Sequence, residues 1–269
     1  MKLTPHHVEK PWGRTRLPPV FGATGGRRIG EIWFEAPTLE AALPLLVKYI
    51  FTSEKLSIQV HPDDEQARNR GLARGKSECW YILDADPGAT LGLGLKRSVD
   101  ADDLRSAALD GSIEELIDWR PITAGEFYFV PARTVHAIGA GISLLEFQQN
   151  ADVTYRLYDY GRPRELHLDD GVAVSRTTEP YSDDCWRQAG GGPDEVLLDG
   201  PQFSLIRASS PDGIPATVHD RQRWVMPIEG SVTSCGTSAS SGDCLLIDAG
   251  QVLEFAAETV ALIGCEGAI

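Results

Sequence analysis

Apolar runs about four to eight residues long, each cut off by glycine or proline, recur along most of this chain and constrain its fold more than any other feature. The stretch from Thr123 to His136 shows the pattern. Gly125 opens a turn, Phe127-Tyr128-Phe129-Val130 makes an aromatic strand, and Pro131 ends it shortly before His136. Gly139 and Gly141 form the next turn, and Ile142 to Gln149 is a further strand. Leu45 to Phe51 reads as a buried strand, as does Cys79 to Leu83, which runs into Asp86-Pro87-Gly88. Short strands and turns also suit Lys10-Pro11-Trp12-Gly13 and Gly30-Glu31-Ile32-Trp33-Phe34. Runs of this length with turns this tight predict an antiparallel β-barrel or sandwich.

Helices have a smaller part. Leu39 to Leu46 is rich in Leu and Ala, but Pro44 opposes a helix there. Asp64 to Ala73 is polar and predicts a short surface helix ending at Gly71 or Gly75. Asp100 to Leu109 has amphipathic spacing and is stopped by Gly111. Ser112-Ile113-Glu114-Glu115 then reads as a capping box for a second short helix closed by Pro121. The two helices look like an insertion, near 97–120, in a β-rich domain spanning 1–176. The stretch 177–201, with Gly190-Gly191-Gly192-Pro193, has the composition of a linker or long loop. The remainder, 202–269, repeats the β pattern in shorter form through Trp224 to Ile228, Cys244 to Ile247 and Val260 to Ile263, which suggests a second, smaller barrel.

Charge and composition exclude several function classes. With 25 basic against 39 acidic side chains the formal charge is −14, so binding to nucleic acid or to an anionic membrane surface is disfavoured. An anionic small substrate would require a local basic cluster. No apolar run approaches the roughly 20 residues of a membrane span, and Met1 to His7 lacks the apolar core of a signal peptide, so the expected compartment is the cytoplasm. Cys79, Cys185, Cys235, Cys244 and Cys265 contain no CxxC pair and read as reduced and structural.

Within Ser57-Ile58-Gln59-Val60-His61-Pro62-Asp63-Asp64, a period of two sends Ile58 and Val60 to one face and Gln59 and His61, roughly 7 Å apart, to the other. Alone, this is a half-buried strand whose polar face meets water. Partners for a metal site are available in Glu78, at the start of the Cys79 strand, and in His136, although singly His136 reads equally as a core histidine and Glu78 as a solvated strand edge. Together Gln59, His61, Glu78 and His136 supply two imidazoles, a carboxylate and an amide oxygen. That set suits Zn²⁺, and two His with one carboxylate would also suit Fe(II).

The spacing Gly125-x5-Pro131-x4-His136 resembles the second motif of the cupin superfamily, and Gln59 to Glu78 resembles a stretched first motif. Longer strings sharpen the likeness: Lys10 to Gly13, Gly30 to Trp33, Leu56 to Asp64, Lys76 to Tyr81, Val130 to Ile138, and Gln148 to Tyr160, which contains Thr154-Tyr155-Arg156. In order, from Lys10 to about Val174, they resemble the short bacterial form of the type I phosphomannose isomerases. The resemblance implies a mostly β fold, a cupin-type antiparallel β-barrel (jelly roll) followed by a smaller degenerate one. It also implies one Zn²⁺ per chain held by Gln59, His61, Glu78 and His136. Arg156 and Lys76 would be catalytic, and Lys55, Lys76 and Arg156 would meet the substrate.

The implied reaction interconverts mannose 6-phosphate and fructose 6-phosphate through a cis-enediol. Negative charge developing on O1 and O2 would be met by the metal and by Arg156. For the proton carrier Lys76, Glu31 and a water held by the metal all remain open. A cupin Fe(II) dioxygenase would leave Gln59, Lys55, Lys76 and Arg156 without a task, and a non-catalytic sugar-phosphate-binding cupin would hold the hexose phosphate without turning it over. In the second barrel Asp248 and Leu253 stand where a cupin motif would have proline and histidine, so no second metal is expected there. The expected assembly is a monomer or a homodimer.

Overall fold

The computed structural model describes residues 1–36, 42–190, 192 and 194–269. Gly191 and Pro193 of the Gly190 to Pro193 run and the beginning of the Leu39 to Leu46 stretch therefore lie outside the described residues.

Strands dominate, as the short apolar runs require. The first two-thirds of the chain holds β1 (Thr4–Arg14), β2 (Ile29–Glu35), β3 (Leu45–Phe51), β4 (Ile58–Val60), β5 (Glu78–Ala85) and β6 (Thr90–Leu95), then β7 (Ile117–Pro121), β8 (Glu126–Val130), β9 (His136–Ile138), β10 (Ile142–Gln149), β11 (Tyr155–Tyr158) and β12 (Trp186–Gln188). They form a seven-stranded sheet in the order β1-β2-β3-β10-β5-β8-β12, which faces a five-stranded sheet ordered β11-β4-β9-β6-β7. Every pairing is antiparallel. The rest of the chain contributes β13 (Glu195–Asp199), β14 (Phe203–Ala208), β15 (Arg223–Glu229), β16 (Ser231–Ser234), β17 (Thr237–Ser240), β18 (Leu245–Ile247), β19 (Glu254–Phe255) and β20 (Val260–Glu266). These make a smaller sandwich of sheets β13-β14-β20-β15-β18 and β17-β16-β19. The molecule is thus a pair of antiparallel jelly-roll sandwiches, in agreement with the cupin-type expectation.

The seven-stranded sheet is the middle layer, and its central strands β3, β10 and β5 are buried on both faces. Strand alternation explains how one sheet serves two cores. On β3, β5 and β10, Val47, Tyr49, Cys79, Tyr81, Leu145 and Phe147 face the C-terminal sandwich, where they pack with Phe203, Trp224 and Leu262. Their neighbours Ile50, Trp80, Ile82 and Leu144 face the other way, into the core shared with the five-stranded sheet. Lys48, Glu78 and Glu146 have the parity of this second set. The registers Glu146↔Lys48 and Glu146↔Trp80 hold β10 between β3 and β5.

Helices α1 (Asp64–Arg68), α2 (Ala101–Asp110), α3 (Ile113–Leu116), α4 (Leu168–Val174) and α5 (Ala216–His219) are short. Residues of α2 and α4 pack with Ile58 and Val60 on the outer face of the smaller sheet. As expected, Gly111 ends α2, at φ 87°, with its N–H on the Ala107 carbonyl. The α1 helix stops at Arg68, earlier than Gly71 or Gly75 suggested, and the capping box belongs to its start, where Asp63 and Gln66 cap one another. The expected box at Ser112 does not form: its side chain makes no capping bond, and α3 lasts one turn. Residues 117–121 leave the helix and become β7, because pairing with β6 satisfies more backbone groups than a helix frayed by Pro121 would. The 177–201 stretch carries β12, which pairs with β8, and β13, which opens the second sandwich. The five cysteines are free thiols, with Cys79, Cys244 and Cys265 buried, and among the described residues no helix is long and apolar enough to cross a membrane.

Candidate metal centre

The sequence ends β4 by placing Pro62 after His61 and an N-capping Asp63 after that. His61 is thereby held at the point where the strand turns into α1. Its carbonyl accepts from the Arg133 N–H at 2.7 Å, which ties the β8–β9 turn to it. Gly75 lies directly on this corner: a Cβ there would come within 2.4 Å of the Asp63 carbonyl carbon. That close approach lets the Lys76 N–H reach the Pro62 carbonyl at 3.0 Å, so that β5 begins beside His61. On the adjacent strand His136 is the register partner of Gln59. Three of the four candidate ligands, Gln59, His61 and His136, thus come from the five-stranded sheet or its immediate end, and Glu78 comes from the seven-stranded sheet opposite.

The three side chains converge. His61 Nε2 lies 3.4 Å from Glu78 Oε2, and His136 Nε2 lies 3.3 Å from Glu78 Oε1. One ligand atom from each residue falls within 4.8 Å of the others, and each residue is only 1% exposed. A structural role for so polar a group would demand complete hydrogen bonding, yet His61 Nδ1 and His136 Nε2 have no hydrogen-bond partner, and Glu78 Oε2 is met by an ion pair with Lys76. On His136 the other nitrogen, Nδ1, is 2.8 Å from the Thr134 carbonyl, which fixes the proton on Nδ1 and leaves the Nε2 lone pair directed at Glu78. The donor set therefore fits a divalent metal ion.

Electrostatics agree. Burial, reinforced by the Lys76 charge, pushes the His61 imidazole down to about 3, and burial also lowers His136. Both rings are neutral at ordinary pH, as ligation requires. Burial would raise the Glu78 carboxyl, but the Lys76 ammonium beside it outweighs that and holds it well below the usual carboxylate range. The Lys76 ammonium is 3.0 Å from Glu78 Oε2 and 3.1 Å from His61 Nε2, in contact with the ligand set itself.

A cavity of about 430 Å³ is lined by Gln59, Lys76 and Arg156, together with Lys10, Glu31, Trp33, Lys48, Glu146 and Arg164. Its far wall is a charge network. Glu146 Oε2 pairs with Lys48 Nζ at 2.6 Å, and Oε1 accepts from Trp80 Nε1 at 2.9 Å. Glu31 Oε2 accepts from Trp33 Nε1 at 2.6 Å and pairs with Lys10 Nζ at 3.2 Å. Burial, then the neighbouring Glu78 charge, raises the Glu146 carboxyl against the pull of Lys48. Burial opposes ionisation of Glu31 too, but there Lys48 and Lys10 prevail and the carboxyl is lowered.

Of the residues singled out from the sequence, the fold brings together Gln59, His61, Lys76, Glu78, His136 and Arg156. It does not bring Lys55 to them. The Lys55 ammonium pairs with Glu114 at 2.8 Å and lies 4.7 Å above the Trp119 ring, on the side where α3 and β7 pack, and it does not line the cavity. Sequence reasoning missed Lys48, Glu146 and Arg164. For the first two a signal was present: a single charge in the middle of an otherwise apolar strand run must be paired if it is buried.

No family model matches the sequence. Over 174 residues the chain is 36% identical to the mannose-6-phosphate isomerase of Streptococcus mutans serotype c (strain ATCC 700610 / UA159), covering 62% of this chain and 55% of that one. The chain thus spans about half the length of that curated relative. To the candidate mannose-6-phosphate isomerase YvyI of Bacillus subtilis (strain 168) it is 34% identical over 248 residues, 76% of this chain and 78% of that protein. The solved structure of the mannose 6-phosphate isomerase from Bacillus subtilis superposes with a TM-score of 0.80 at 27% identity, covering 98% of both chains. Ordered strings, double sandwich and relatives agree, and the chain belongs to the mannose-6-phosphate isomerase family.

Proposed function

We propose that the protein is a zinc-dependent aldose–ketose isomerase that interconverts mannose 6-phosphate and fructose 6-phosphate in the cytoplasm, as a monomer or a homodimer. The observation that carries this reading is the convergence of His61, Glu78 and His136, all buried, against Lys76, which itself lines a cavity together with Gln59 and Arg156. Gln59, the cross-strand neighbour of His136, is the fourth ligand in this reading. The oxygen- and nitrogen-rich, borderline donor set favours Zn²⁺. When bound, the metal supplies Lewis acidity toward the sugar oxygens.

The rest of the chemistry belongs to side chains. Lys76 and Arg156 bring positive charge to the wall where O1 and O2 of the sugar become anionic in the enediol-like transition state. The proton that moves between C2 and C1 is carried by a group whose basicity suits neutral pH. Among the cavity carboxylates Glu146 meets that condition better than Glu31. Its carboxyl is raised, whereas Lys48 and Lys10 hold Glu31 ionised and weakly basic. Free cysteines support a reducing compartment. In this reading residues 1–176 carry the chemistry, and the sandwich of 202–269, joined through 177–201, braces the back of the seven-stranded sheet.

The test is a coupled assay for fructose 6-phosphate formed from mannose 6-phosphate, before and after chelation and with zinc added back. Activity lost on chelation and recovered with zinc is expected. Activity indifferent to chelation would remove the metal from the reaction, and no turnover with metal present would overturn the isomerase assignment.

A further inference from the structure

A second cavity, of about 620 Å³, lies past the ends of the strands that carry charges to the metal-centre cavity. β3 brings Lys48 and β10 brings Glu146 to the first cavity, whereas the second is lined by Thr52, just after β3, by Gly141, just before β10, and by Asp86, just after β5. Among the described residues none lines both. β1 joins the two, with Lys10 on the wall of the first and Arg14, at its end, on the wall of the second. The Thr52 carbonyl fastens this corner: it accepts from the Gly141 N–H at 3.0 Å and from Arg14 Nε at 2.9 Å. Gly141, at φ 79°, accepts in turn from the Asp86 N–H at 2.8 Å, and a Cβ on it would lie 2.7 Å from Asp86 Oδ2, so only glycine lets these turns close.

The lining carries Arg14, Arg16 and Arg28 against a single carboxylate, Asp86, in a chain whose formal charge is −14. Arg28 is already occupied, because its Nη2 donates to Glu54 Oε1 at 2.8 Å and to Ser53 Oγ at 3.1 Å. The other two arginines are not. Arg14 has no carboxylate partner among the described residues; its Nε is spent on Thr52, and its Nη2 is buried without a hydrogen-bond partner. Arg16 is exposed and makes no hydrogen bond or ion pair among the described residues, and Asp86 pairs with neither arginine. A half-buried guanidinium with an unused donor is stabilised by an anion that supplies both an acceptor and a countercharge. Two planar forks suit an anion with several oxygens, such as a phosphoryl group. The volume falls in the range of about 300–1,000 Å³ typical of small-molecule sites, which leaves room for an organic body against Pro87 and Ala140.

We propose that this cavity is a second ligand site, in which Arg14 and Arg16 hold the phosphoryl group of a small phosphorylated metabolite away from the metal centre. Its residues lie outside the metal-centre cavity, so the site is independent of the isomerase reading.

Hydrogen exchange read by mass spectrometry locates the ligand, with inorganic phosphate and glycerol 3-phosphate as probes and chloride at matched ionic strength as the control. Both probes are expected to slow exchange in segments 13–16 and 86–89 of the wild type, and chloride is not. Arg16→Gln is the main variant, because an exposed side chain without partners can be replaced with the fold intact; Arg14→Gln is the second, checked first for a cooperative thermal transition. In both the protection of these segments is expected to disappear, and calorimetric binding of glycerol 3-phosphate to this site should weaken about tenfold. In phosphate-free buffer Arg16→Gln should keep kcat and KM for mannose 6-phosphate within about twofold. Protection by inorganic phosphate but not by glycerol 3-phosphate would mean an adventitious ion only and overturns the metabolite site. No protection in the wild type, equal protection by chloride, or protection that persists in Arg16→Gln overturns it as well, and a raised KM in Arg16→Gln would show that the cavity is not separate from the metal centre. A wild type without isomerase activity would sink the isomerase reading and leave the exchange result to decide this site.

Discussion

The division of labour at the centre comes down to single nitrogen atoms. Because Thr134 accepts the Nδ1 proton of His136, Nε2 is the nitrogen free to ligate a metal, and its removal leaves Glu78 with one imidazole instead of two. His136→Ala is therefore expected to abolish metal binding, measured by inductively coupled plasma analysis after dialysis. Arg156 makes no ion pair with Glu78 and no hydrogen bond to His61 or His136, and it adjoins Gln59 only through strand register, so Arg156→Ala should keep its metal while kcat falls by about 10²–10³; normal kinetics in that variant would contradict the charge-stabilising role. Glu31 makes a separate test through pH. Its folded pKa lies below the ordinary 4.5, so its contribution to stability is fully present above pH 4.5 and is lost as pH falls through the lower folded value. The stability advantage of the wild type over Glu31→Gln in urea unfolding should shrink as pH drops below about 4.5. An advantage independent of pH between 6 and 3 would mean that Glu31 is not held ionised by Lys48 and Lys10.

Pairs of strands decide what single residues mean. β3 and β10 each place a charge among apolar neighbours, and the register puts Lys48 opposite Glu146 with Trp80 on the far side. Lys48→Met leaves the Glu146 carboxylate facing the cavity without its partner, a change expected to cost about 3 kcal/mol. Combining it with Glu146→Gln should restore part of that loss, and the double-mutant cycle in urea reads the coupling. Additive losses would show that the pair does not act as a unit. These elements also mark where the sequence was legible. Alternation at Ile58-Gln59-Val60-His61 and the Gly and Pro boundaries gave strand faces directly, because burial of one face enforces a period of two. The pairing of Lys48 with Glu146 was hidden because it links residues 98 positions apart through strand order, which local pattern does not specify. At Ser112 the local capping signal was real but outweighed: Ile117–Pro121 pairs with β6, and Glu114, in the one-turn helix before it, pairs with Lys55 outside the cavity lining.

At the scale of the molecule the two sandwiches share a core. Leu145, Phe147, Phe127 and Tyr49 from the seven-stranded sheet pack with Phe203, Leu205, Trp224, Met226 and Leu262 from the C-terminal half. The N-terminus reinforces this junction: the Met1 ammonium donates to the Leu246 carbonyl at 2.6 Å, and the Leu3 N–H donates to the Cys244 carbonyl at 2.9 Å. Removing either half would expose a broad apolar sheet face, so the whole chain is expected to unfold in one calorimetric transition, with the van't Hoff and calorimetric enthalpies equal. Gly264 gives the junction a local probe. A Cβ there would lie 2.8 Å from the Phe147 ring, closer than any tolerated contact, so Gly264→Ala forces β20 and β10 apart and should destabilise by about 1–3 kcal/mol. Phe147 faces the C-terminal sandwich while its neighbour Glu146 faces the cavity, and alternation along β10 separates the two effects. The variant should therefore show a lowered Tm, still in a single transition, with KM for the sugar phosphate unchanged. Two resolved transitions in the wild type would mean that the shared core does not couple the halves, and a raised KM in Gly264→Ala would mean that the C-terminal sandwich sets the shape of the cavity through β10.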